Sequence, residues 1–476
     1  MRFFRIERGD RIWIALLIGI NLIVLLNALL HDPRVGYDAP EHLRYVETLS
    51  RFRLPMRSDT LEFFSPPLPY LAPALLRASG AFTLWGAAKA AQLLNVLFSV
   101  ALTLYLVKIC DRLRPGDPRL KAASLMCLGM LPVYYKTFAF VRGEPLLACL
   151  SVLLAHRALA LLLDEGPVLR GAVPLGLILG LIALTRQWGF FLFGALSGFA
   201  ALLILSRRGF WRRAVPVIAA SFLIAGMVGG WFYLHLRETT GSMRAFNRPA
   251  SSRFSTANLP AEFYFDLGLD KVFVDPVRPL LGNRILPILY SEMWGDYWTT
   301  FVLRGTDTRD GNVLSGGELY EALSRDPVPA WLETNRWSIA PYLGRVNMVS
   351  LAPTALLMTG LTFGAASLLG NLSRRAGPQP GGEGRSDQMA IRSLLFMMVA
   401  ATALGYGWFL IMYPRPDTIK ASYVLQAFPA LAILGGDFLQ QVRQRSVTVY
   451  RALIGATGLA LLHNAPVLLT RYWTMW

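Results

Sequence analysis

The chain has 476 residues, of which 54% are hydrophobic and 16% are charged, and long apolar runs recur along its whole length. A soluble protein cannot bury so many long apolar runs, so this composition predicts an all-α membrane protein that crosses the bilayer repeatedly. The net charge of +17 falls mainly in short loops between the apolar runs. This distribution is typical of basic loops that orient a protein in the membrane, and it does not favour nucleic-acid binding. Cys110, Cys127 and Cys149 lie in or at the ends of apolar runs, so neither a disulfide framework nor a cysteine metal site is predicted.

Hydropathy predicts about eleven transmembrane helices. They cover residues 12–30, 84–109, 121–139, 145–163, 171–185, 187–205, 214–236, 347–370, 393–413, 421–440 and 452–470. Basic clusters precede the first span and follow the second, sixth, eighth and tenth, and all of them fall on one side of the membrane. The positive-inside rule makes that side cytoplasmic. The first apolar run has no small-residue cleavage site, which predicts a retained helix.

The first outer loop, residues 31–83, contains two short elements. A short helix is predicted for residues 40–52. The apolar stretch 65–76 is too short and too rich in proline to span the membrane, so it is predicted to be re-entrant or to lie in the interface.

A second long outer segment covers residues 237–345 and is rich in aromatic residues, proline and glycine. It is predicted to form either a small extracytoplasmic domain or a set of interfacial helices. The chain is therefore divided into an N-terminal transmembrane module, 1–236, the outer segment, and C-terminal transmembrane helices, 346–476. A Gly/Pro-rich stretch, 376–385, is predicted to be a flexible cytoplasmic linker.

An acidic motif directly follows the first span. Asp38 and Glu41 flank Pro40, which fits a capping box at the start of the short helix. A carboxylate at the same place could also act as a general base for a hydroxyl substrate held in a cleft. His42 follows on the same helix and could join Asp38 at a metal, although one histidine beside carboxylates is weak support for a metal site.

Two further charged motifs lie on the same predicted face. Arg142 and Glu144 occupy the short loop before the fourth span, where an acidic residue is also favoured by the helix dipole. Arg186 follows the short fifth span beside Trp188. It either marks the outer interface or faces a polar interior, because an arginine exposed to lipid is costly.

Cations recur in the outer loop before the tenth span. Arg415 and Lys420 could neutralise a phosphate there, or they could extend toward lipid headgroups without specific binding. In the second outer segment, Asp296 and Tyr297 belong to a tryptophan-rich string. That string is typical of an interfacial belt, and it could equally form a lid over an acceptor.

In order and sidedness, these motifs resemble the GT-C class of membrane glycosyltransferases. This class includes bacterial aminoarabinose transferases, protein O-mannosyltransferases and lipid-linked-oligosaccharide mannosyl- and glucosyltransferases. The matching features are an acidic pair in the first outer loop, an acidic residue opening the fourth span, an Arg-Gln pair after the fifth span, and a basic residue entering a late span before an aromatic residue and a proline. In this chain they fall on Asp38 and Glu41, Glu144, Arg186-Gln187, and Lys420 with Tyr423 and Phe428-Pro429.

The resemblance implies a sugar donor carried on a polyprenyl phosphate and an acceptor that is a lipid, glycan or protein. Asp38 would deprotonate the acceptor hydroxyl, and the sugar would be transferred with inversion. Lys420, with Arg415 or Arg142, would stabilise the departing phosphate, and Glu144 would hold the acceptor or tune the pKa of Asp38. The candidate catalytic residues are Asp38, Glu41 and Glu144, and the candidate substrate-binding residues are His42, Arg142, Arg186, Asp296, Tyr297, Arg415, Lys420 and Tyr423.

No cofactor is predicted, and no residue pattern supports a divalent metal. Membrane lipids are expected partners and nucleic acids are not. The expected location is a bacterial inner membrane, with the active site facing the periplasm or exterior. Two other functions stay open: en bloc transfer of an oligosaccharide from a lipid pyrophosphate, and transport or lipid flipping. The transport reading predicts ionisable residues in mid-span, and the spans carry few of these.

Overall fold

The structure is a computed structural model, and it describes residues 9–164, 168–207, 209–247, 259–278, 281, 284–302, 330–373 and 383–472. These residues form an α-helical bundle that contains no β-strand, which confirms the all-α prediction. The predicted linker lies mostly outside the described residues.

The first half of the chain supplies ten α-helices. They are α1 (Asp10–Leu30), α2 (Ala39–Leu49), α3 (Leu68–Ala78), α4 (Leu84–Leu113), α5 (Pro118–Gly129), α6 (Pro132–Phe138), α7 (Glu144–Leu163), α8 (Val168–Ala183), α9 (Phe190–Ser206) and α10 (Trp211–Thr240). A 3-10 turn, Gln187–Gly189, joins α8 to α9.

The second half begins with short helices and ends with long ones. They are α11 (Ala261–Phe265), α12 (Leu269–Val272), α13 (Ile285–Trp294), α14 (Ala330–Val349), α15 (Leu351–Ser373), α16 (Glu383–Met412), α17 (Phe428–Arg445) and α18 (Val447–Asn464). A 3-10 helix, Ala421–Ala427, leads directly into α17, and two shorter 3-10 turns cover Pro416–Thr418 and Ala465–Leu468.

Eight helices in the described residues are long and apolar enough to cross a membrane, so the chain is an integral membrane protein. The predicted count of eleven is not confirmed. The predicted span 121–139 is broken into α5 and α6 at Leu131, which is extended. Pro132 causes the break because it has no N–H for the preceding turn. The predicted spans 171–185 and 452–470 correspond to α8, which is only 16 residues long, and to α18, and neither is among the eight.

Side-chain caps begin several of these helices. Thr83 Oγ1 accepts a hydrogen bond from the Gly86 N–H at the start of α4, and Ser446 Oγ accepts one from the Val449 N–H at the start of α18. Asp117 does the same for the first turn of α5. These caps satisfy N–H groups that the helix itself leaves without partners.

The two short elements predicted in the first outer loop are both helices. The predicted helix 40–52 corresponds to α2 and the apolar stretch 65–76 to α3, and these two helices pack against each other and against α4. In the second outer segment, Val272, Ile288 and Trp294 are buried in the same apolar core as the long helices. The described part of that segment therefore packs onto the bundle.

A buried ion cluster joins three elements at the end of the bundle opposite the first outer loop. Asp437 of α17 is fully buried, and its two carboxylate oxygens accept from Arg114 Nε and Arg392 Nε, each at 2.7 Å. Arg114 follows α4 and Arg392 lies on α16. The carboxylate thus holds three helices in register.

We expect Asp437→Ala to destabilise the protein by about 3–5 kcal/mol, because removing one partner leaves buried arginines uncompensated. The loss is measured as a lowered midpoint of thermal unfolding in detergent. Asp387→Ala is the matched control, since its pair with Arg207 has a half-exposed carboxylate, 49% exposed, and should contribute less than about 1 kcal/mol. Equal shifts for the two variants would contradict the structural role of Asp437.

Candidate active site

The loop that carries Asp38 is anchored directly after α1. The Nε2 of His31 lies 3.0 Å from the Val35 carbonyl, and its Nδ1 lies 2.7 Å from Thr470 Oγ1. A carbonyl only accepts, so Nε2 carries the proton, and burial lowers the pKa of His31 to about 4, which keeps the ring neutral. Lys89 Nζ donates to the His31 carbonyl and to carbonyls in the last turn of α1.

A sharp turn then presents Asp38. Gly36 has φ +145°, and a Cβ there would lie 3.2 Å from the ring of Phe140, so both the conformation and the space require glycine. Asp38 has φ 54° and ψ 27°, a left-handed conformation that aspartate tolerates better than most residues.

No capping box forms at the start of α2. Asp38 occupies the N-cap position, but its side chain makes no cap hydrogen bond. Glu41 Oε2 accepts instead from Thr60 Oγ1 at 2.9 Å and from the Leu61 N–H at 2.7 Å, and Oε1 accepts from Arg44 at 2.7 Å. The capping interpretation is therefore wrong, and Glu41 ties α2 to the loop around residue 60.

The carboxylate of Asp38 pairs with a cation from the far end of the sequence. Lys420 Nζ donates to Asp38 Oδ2 at 2.5 Å, with side-chain exposures of 8% for the lysine and 48% for the aspartate. Burial is the largest influence on the pKa of Asp38 and raises it, but Lys420, His42 and Arg142 together outweigh it and hold that pKa well below its usual range. The base candidate is therefore an open, ionised carboxylate with a buried cation behind it.

Two aromatic rings enclose this cation and a second one. Lys420 Nζ lies 5.3 Å from the ring centre of Tyr37 and 5.7 Å from that of Tyr423. Arg142 Cζ lies 5.2 Å and 5.6 Å from the same two centres. These distances allow cation–π attraction, and the rings shield both charges from water.

Arg142 is oriented by Glu144. Its Nε and Nη2 donate to the two Glu144 oxygens at 2.6 and 2.7 Å, while its buried Nη1 has no hydrogen-bond partner among the described residues. Arg186 lies 3.1 Å from the same carboxylate and also donates to Glu62 at 3.0 Å and to Ser65 Oγ at 2.6 Å. Glu144 thus has both oxygens occupied by arginines. Of the two predictions for Arg186, the structure shows the one in which its side chain faces a polar interior.

His42 lies one helical turn after Asp38 and is almost fully buried. Its Nδ1 lies 2.8 Å from Tyr70 Oη and 3.8 Å from Glu62, and its Nε2 has no partner among the described residues. Burial is the main cause that lowers the pKa of His42 to about 4. The ring is therefore neutral at ordinary pH.

The remaining candidates are Arg415, Asp296 and Tyr297, and Asp296 Oδ1 lies 3.7 Å from Lys136 Nζ. Arg415 is exposed. Asp296 is buried, and its oxygens accept from the backbone N–H groups of residues 300, 301 and 302 at 2.7–3.1 Å. Tyr297 is buried beside it. These bonds give Asp296 a structural task in the turn, and a substrate contact for either residue stays a prediction.

Three residues of the candidate site were missed from the sequence. Tyr37 is buried, with its ring near the cations and its hydroxyl without a partner among the described residues. Glu62 was missed although it belongs to the first outer loop. Lys136 pairs with Glu292, both fully buried, and its Nζ lies 5.9 Å from the ring centre of Tyr37. Two features of the sequence could have indicated them. One is the aromatic residue next to Asp38, and the other is a lysine inside an apolar run, since a charge buried in the membrane costs free energy unless it is paired.

A groove of about 1240 Å³ opens beside the cluster. Aromatic and apolar side chains, among them Trp188, Phe409 and Tyr413, line most of it, with Arg57 and Arg244 also on its wall. Trp188 lies 5.0 Å from the ring of Tyr423, measured between ring centres. The groove and the buried cations therefore meet at this tyrosine.

The cluster combines an open carboxylate, two shielded cations and a neighbouring apolar groove. This arrangement can accept a proton and stabilise charge on a phosphate whose apolar part lies in the groove. Among the described residues, no group of three or more histidine, cysteine, aspartate or glutamate side chains is arranged to hold a metal ion.

Solved structures match the chain at low sequence identity. The Archaeoglobus fulgidus oligosaccharyltransferase in complex with Zn and sulfate matches with a TM-score of 0.50 and 14% identity, over 96% of this chain and 53% of that chain. ArnT from Cupriavidus metallidurans, bound to undecaprenyl phosphate, matches with a TM-score of 0.39 and 14% identity, over 91% of this chain and 81% of that chain. No protein-family model and no curated protein matches the sequence.

The chain spans about half the length of the oligosaccharyltransferase, and that match covers nearly all of this chain. Identity at this level establishes the fold and leaves activity, substrates and partners to be argued from the site. The all-α bundle, the helices in the first outer loop and this match together show that the chain has the fold of the GT-C class of membrane glycosyltransferases.

Proposed function

We propose that the protein is a membrane glycosyltransferase that moves a sugar from a polyprenyl-phosphate donor to an acceptor hydroxyl. The observation that carries this proposal is the half-exposed Asp38 carboxylate bonded to Lys420 beside Arg142, next to an apolar groove. Proton acceptor, phosphate-binding cations and lipid-binding surface are then all adjacent. The sidedness of the basic loops supports a site on the extracytoplasmic face, and a bacterial inner membrane is the proposed location.

Asp38 acts as the general base in this reaction. It takes the proton of the acceptor hydroxyl while that oxygen forms a bond to the anomeric carbon. The bond from the anomeric carbon to the phosphate oxygen breaks, and its electron pair stays on the polyprenyl phosphate. Attack opposite to the leaving group inverts the anomeric configuration.

Lys420 couples the two halves of this reaction. Before reaction its charge is shared with the Asp38 carboxylate, which makes Asp38 a weak base. As Asp38 is protonated it loses its negative charge, and the lysine becomes fully available to the phosphate on which negative charge is developing. Stabilisation is therefore greatest in the transition state, where it accelerates the reaction.

Arg142 is the second phosphate ligand. Its Nε and Nη2 are held by Glu144, and its partnerless Nη1 is the N–H group left for a substrate oxygen. Because Glu144 contacts arginines, its role is to position Arg142 and to balance its charge. The geometry favours Arg142 over the exposed Arg415 as the partner of Lys420.

The groove lined by Trp188, Phe409 and Tyr413 accommodates the first isoprene units of the donor. Burial of apolar lipid surface contributes roughly 25 cal/mol per Å² and holds the phosphate beside the cations. A lipid-anchored donor needs no nucleotide-binding site. En bloc transfer from a lipid pyrophosphate is the alternative function. The fold is shared with an oligosaccharyltransferase, so the experiment includes pyrophosphate donors.

The test is sugar transfer by purified protein in nanodiscs. Radiolabelled polyprenyl-phosphate sugars and polyprenyl-pyrophosphate oligosaccharides are supplied separately, with total envelope lipids as acceptors. We expect label to move from a monophosphate donor to a new product without added metal. Transfer from the pyrophosphate donors alone would establish the en bloc function, and no transfer from either class would overturn the proposal.

A further inference from the structure

The buried cations and the groove are adjacent but separated. Arg142 and Lys420 have side-chain exposures of 1% and 8%, and neither belongs to the described lining of the groove. A phosphate on a lipid in the groove therefore cannot reach them unless a side chain moves.

Tyr423 is the side chain that contacts both the cations and the groove. Arg142 and Lys420 are 5.6 and 5.7 Å from its ring centre. The rings of Trp188 and Phe409, which line the groove, are 5.0 and 6.1 Å from the same centre. Its backbone lies in the 3-10 helix Ala421–Ala427, just after Lys420.

We propose that Tyr423 controls access to the cation pair, admitting a phosphate carried on a lipid and excluding water and soluble phosphate. This inference deepens the proposed function and rests on it for the identity of the lipid donor. In the closed state the ring provides the cations with cation–π contacts in place of a phosphate.

A lipid can open this barrier because it contributes binding energy at a distance. Its chain contacts Trp188 and Phe409, the same rings that hold Tyr423, and apolar burial there favours the displaced position of the tyrosine. The cations then exchange the ring for the phosphate. Inorganic phosphate makes no contact in the groove, so it has no comparable preference for the open state.

A barrier that excludes water protects the sugar donor from hydrolysis. If water replaced the acceptor, its oxygen would bond to the anomeric carbon and one of its protons would pass to Asp38. The bond from that carbon to the phosphate oxygen would break, its electron pair would stay on the polyprenyl phosphate, and the donor would be lost by hydrolysis. The ring, displaced by the donor chain but still beside the cations, leaves less room for water there and keeps this competing reaction slow until the acceptor binds.

The test is thermal unfolding of the purified full-length protein in detergent, with inorganic phosphate compared with chloride at equal ionic strength. Removing the ring with Tyr423→Ala should let inorganic phosphate reach the cations and raise the unfolding midpoint by about 2 °C or more, because a ligand that binds the native state stabilises it. Wild type and Tyr423→Phe, which keeps the ring, should show no specific shift.

Phe409→Ala is the matched control, since it enlarges the groove beside Tyr423 but leaves the Tyr423 ring in place over the cations. Adding Lys420→Met to Tyr423→Ala should abolish the phosphate shift and so locate the bound ion. If Tyr423→Ala does not fold, Tyr423→Leu replaces it. A shift of equal size in wild type, or none in a folded ring-deleted variant, would overturn the inference.

Sugar transfer distinguishes a failure of the inference from a failure of the proposed function. With an active donor, Tyr423→Ala should raise the ratio of donor hydrolysis to transfer by about 10-fold through loss of water exclusion. If no donor is active, the phosphate shift still decides whether Tyr423 covers the cations. If transfer occurs without any phosphate shift in the variant, only the barrier is wrong.

Discussion

Asp38→Asn should lower the rate of sugar transfer by about 10²–10⁴-fold while leaving the fold intact. An amide cannot accept the proton of the acceptor hydroxyl at neutral pH. The fold should persist because the Asp38 side chain is half exposed and caps no helix. The measurement is the turnover of radiolabelled donor at saturating acceptor, with the unfolding midpoint of the same preparation.

Asp59→Asn is the control for this substitution. Asp59 lies in the same outer loop and pairs with the exposed Arg53 at 2.7 Å, away from the cation pair. We expect this variant to keep wild-type turnover. If Asp38→Asn retained more than a tenth of the activity, the only role left for Asp38 would be to hold Lys420.

Lys420→Met should lower turnover by about 10²–10³-fold, because the stabilisation of charge on the departing phosphate is lost. Its pH profile should also change. Lys420 is the largest of the influences that lower the pKa of Asp38, so its removal raises that pKa. A base works only above its pKa, and the acid limb of the kcat/KM profile should therefore move to higher pH.

The change in the pH profile separates a specific role from general damage. Lys271→Met, which removes an exposed lysine of the second outer segment, should change neither turnover nor the acid limb. A Lys420→Met enzyme with lower turnover and an unshifted acid limb would show that the lysine does not act on Asp38. Unchanged turnover would remove Lys420 from the site altogether.

The helical fold and the position of most long helices followed from hydropathy. Apolar runs must be helical in a bilayer because the backbone finds no water to bond with there. The predicted count was less accurate, since Pro132 breaks one predicted span and α8 is short. Such interruptions depend on whether neighbouring helices bury the break.

The motif residues were predicted to share one face, and Asp38, Arg142, Glu144 and Lys420 do meet there. Their pairing was not predictable. Glu144 was predicted to hold an acceptor or to tune the pKa of Asp38, but it pairs with Arg142 and Arg186. Glu41 binds the loop around residue 60 through the Leu61 N–H. A carboxylate near several cations pairs according to distances of a few tenths of an ångström, and the sequence contains no such distances.

Composition and periodicity therefore determine the membrane-spanning helices and the face on which charge gathers, because the cost of placing charge in hydrocarbon is a local property of each segment. Contacts between distant segments decide the chemistry. Asp38 and Lys420 are 382 positions apart, and Tyr423 contacts both Arg142 and Trp188 only because three chain segments meet at its ring. Burial, electrostatic coupling and access arise from that packing, so only the tertiary structure brings together the residues proposed as base, cation and barrier.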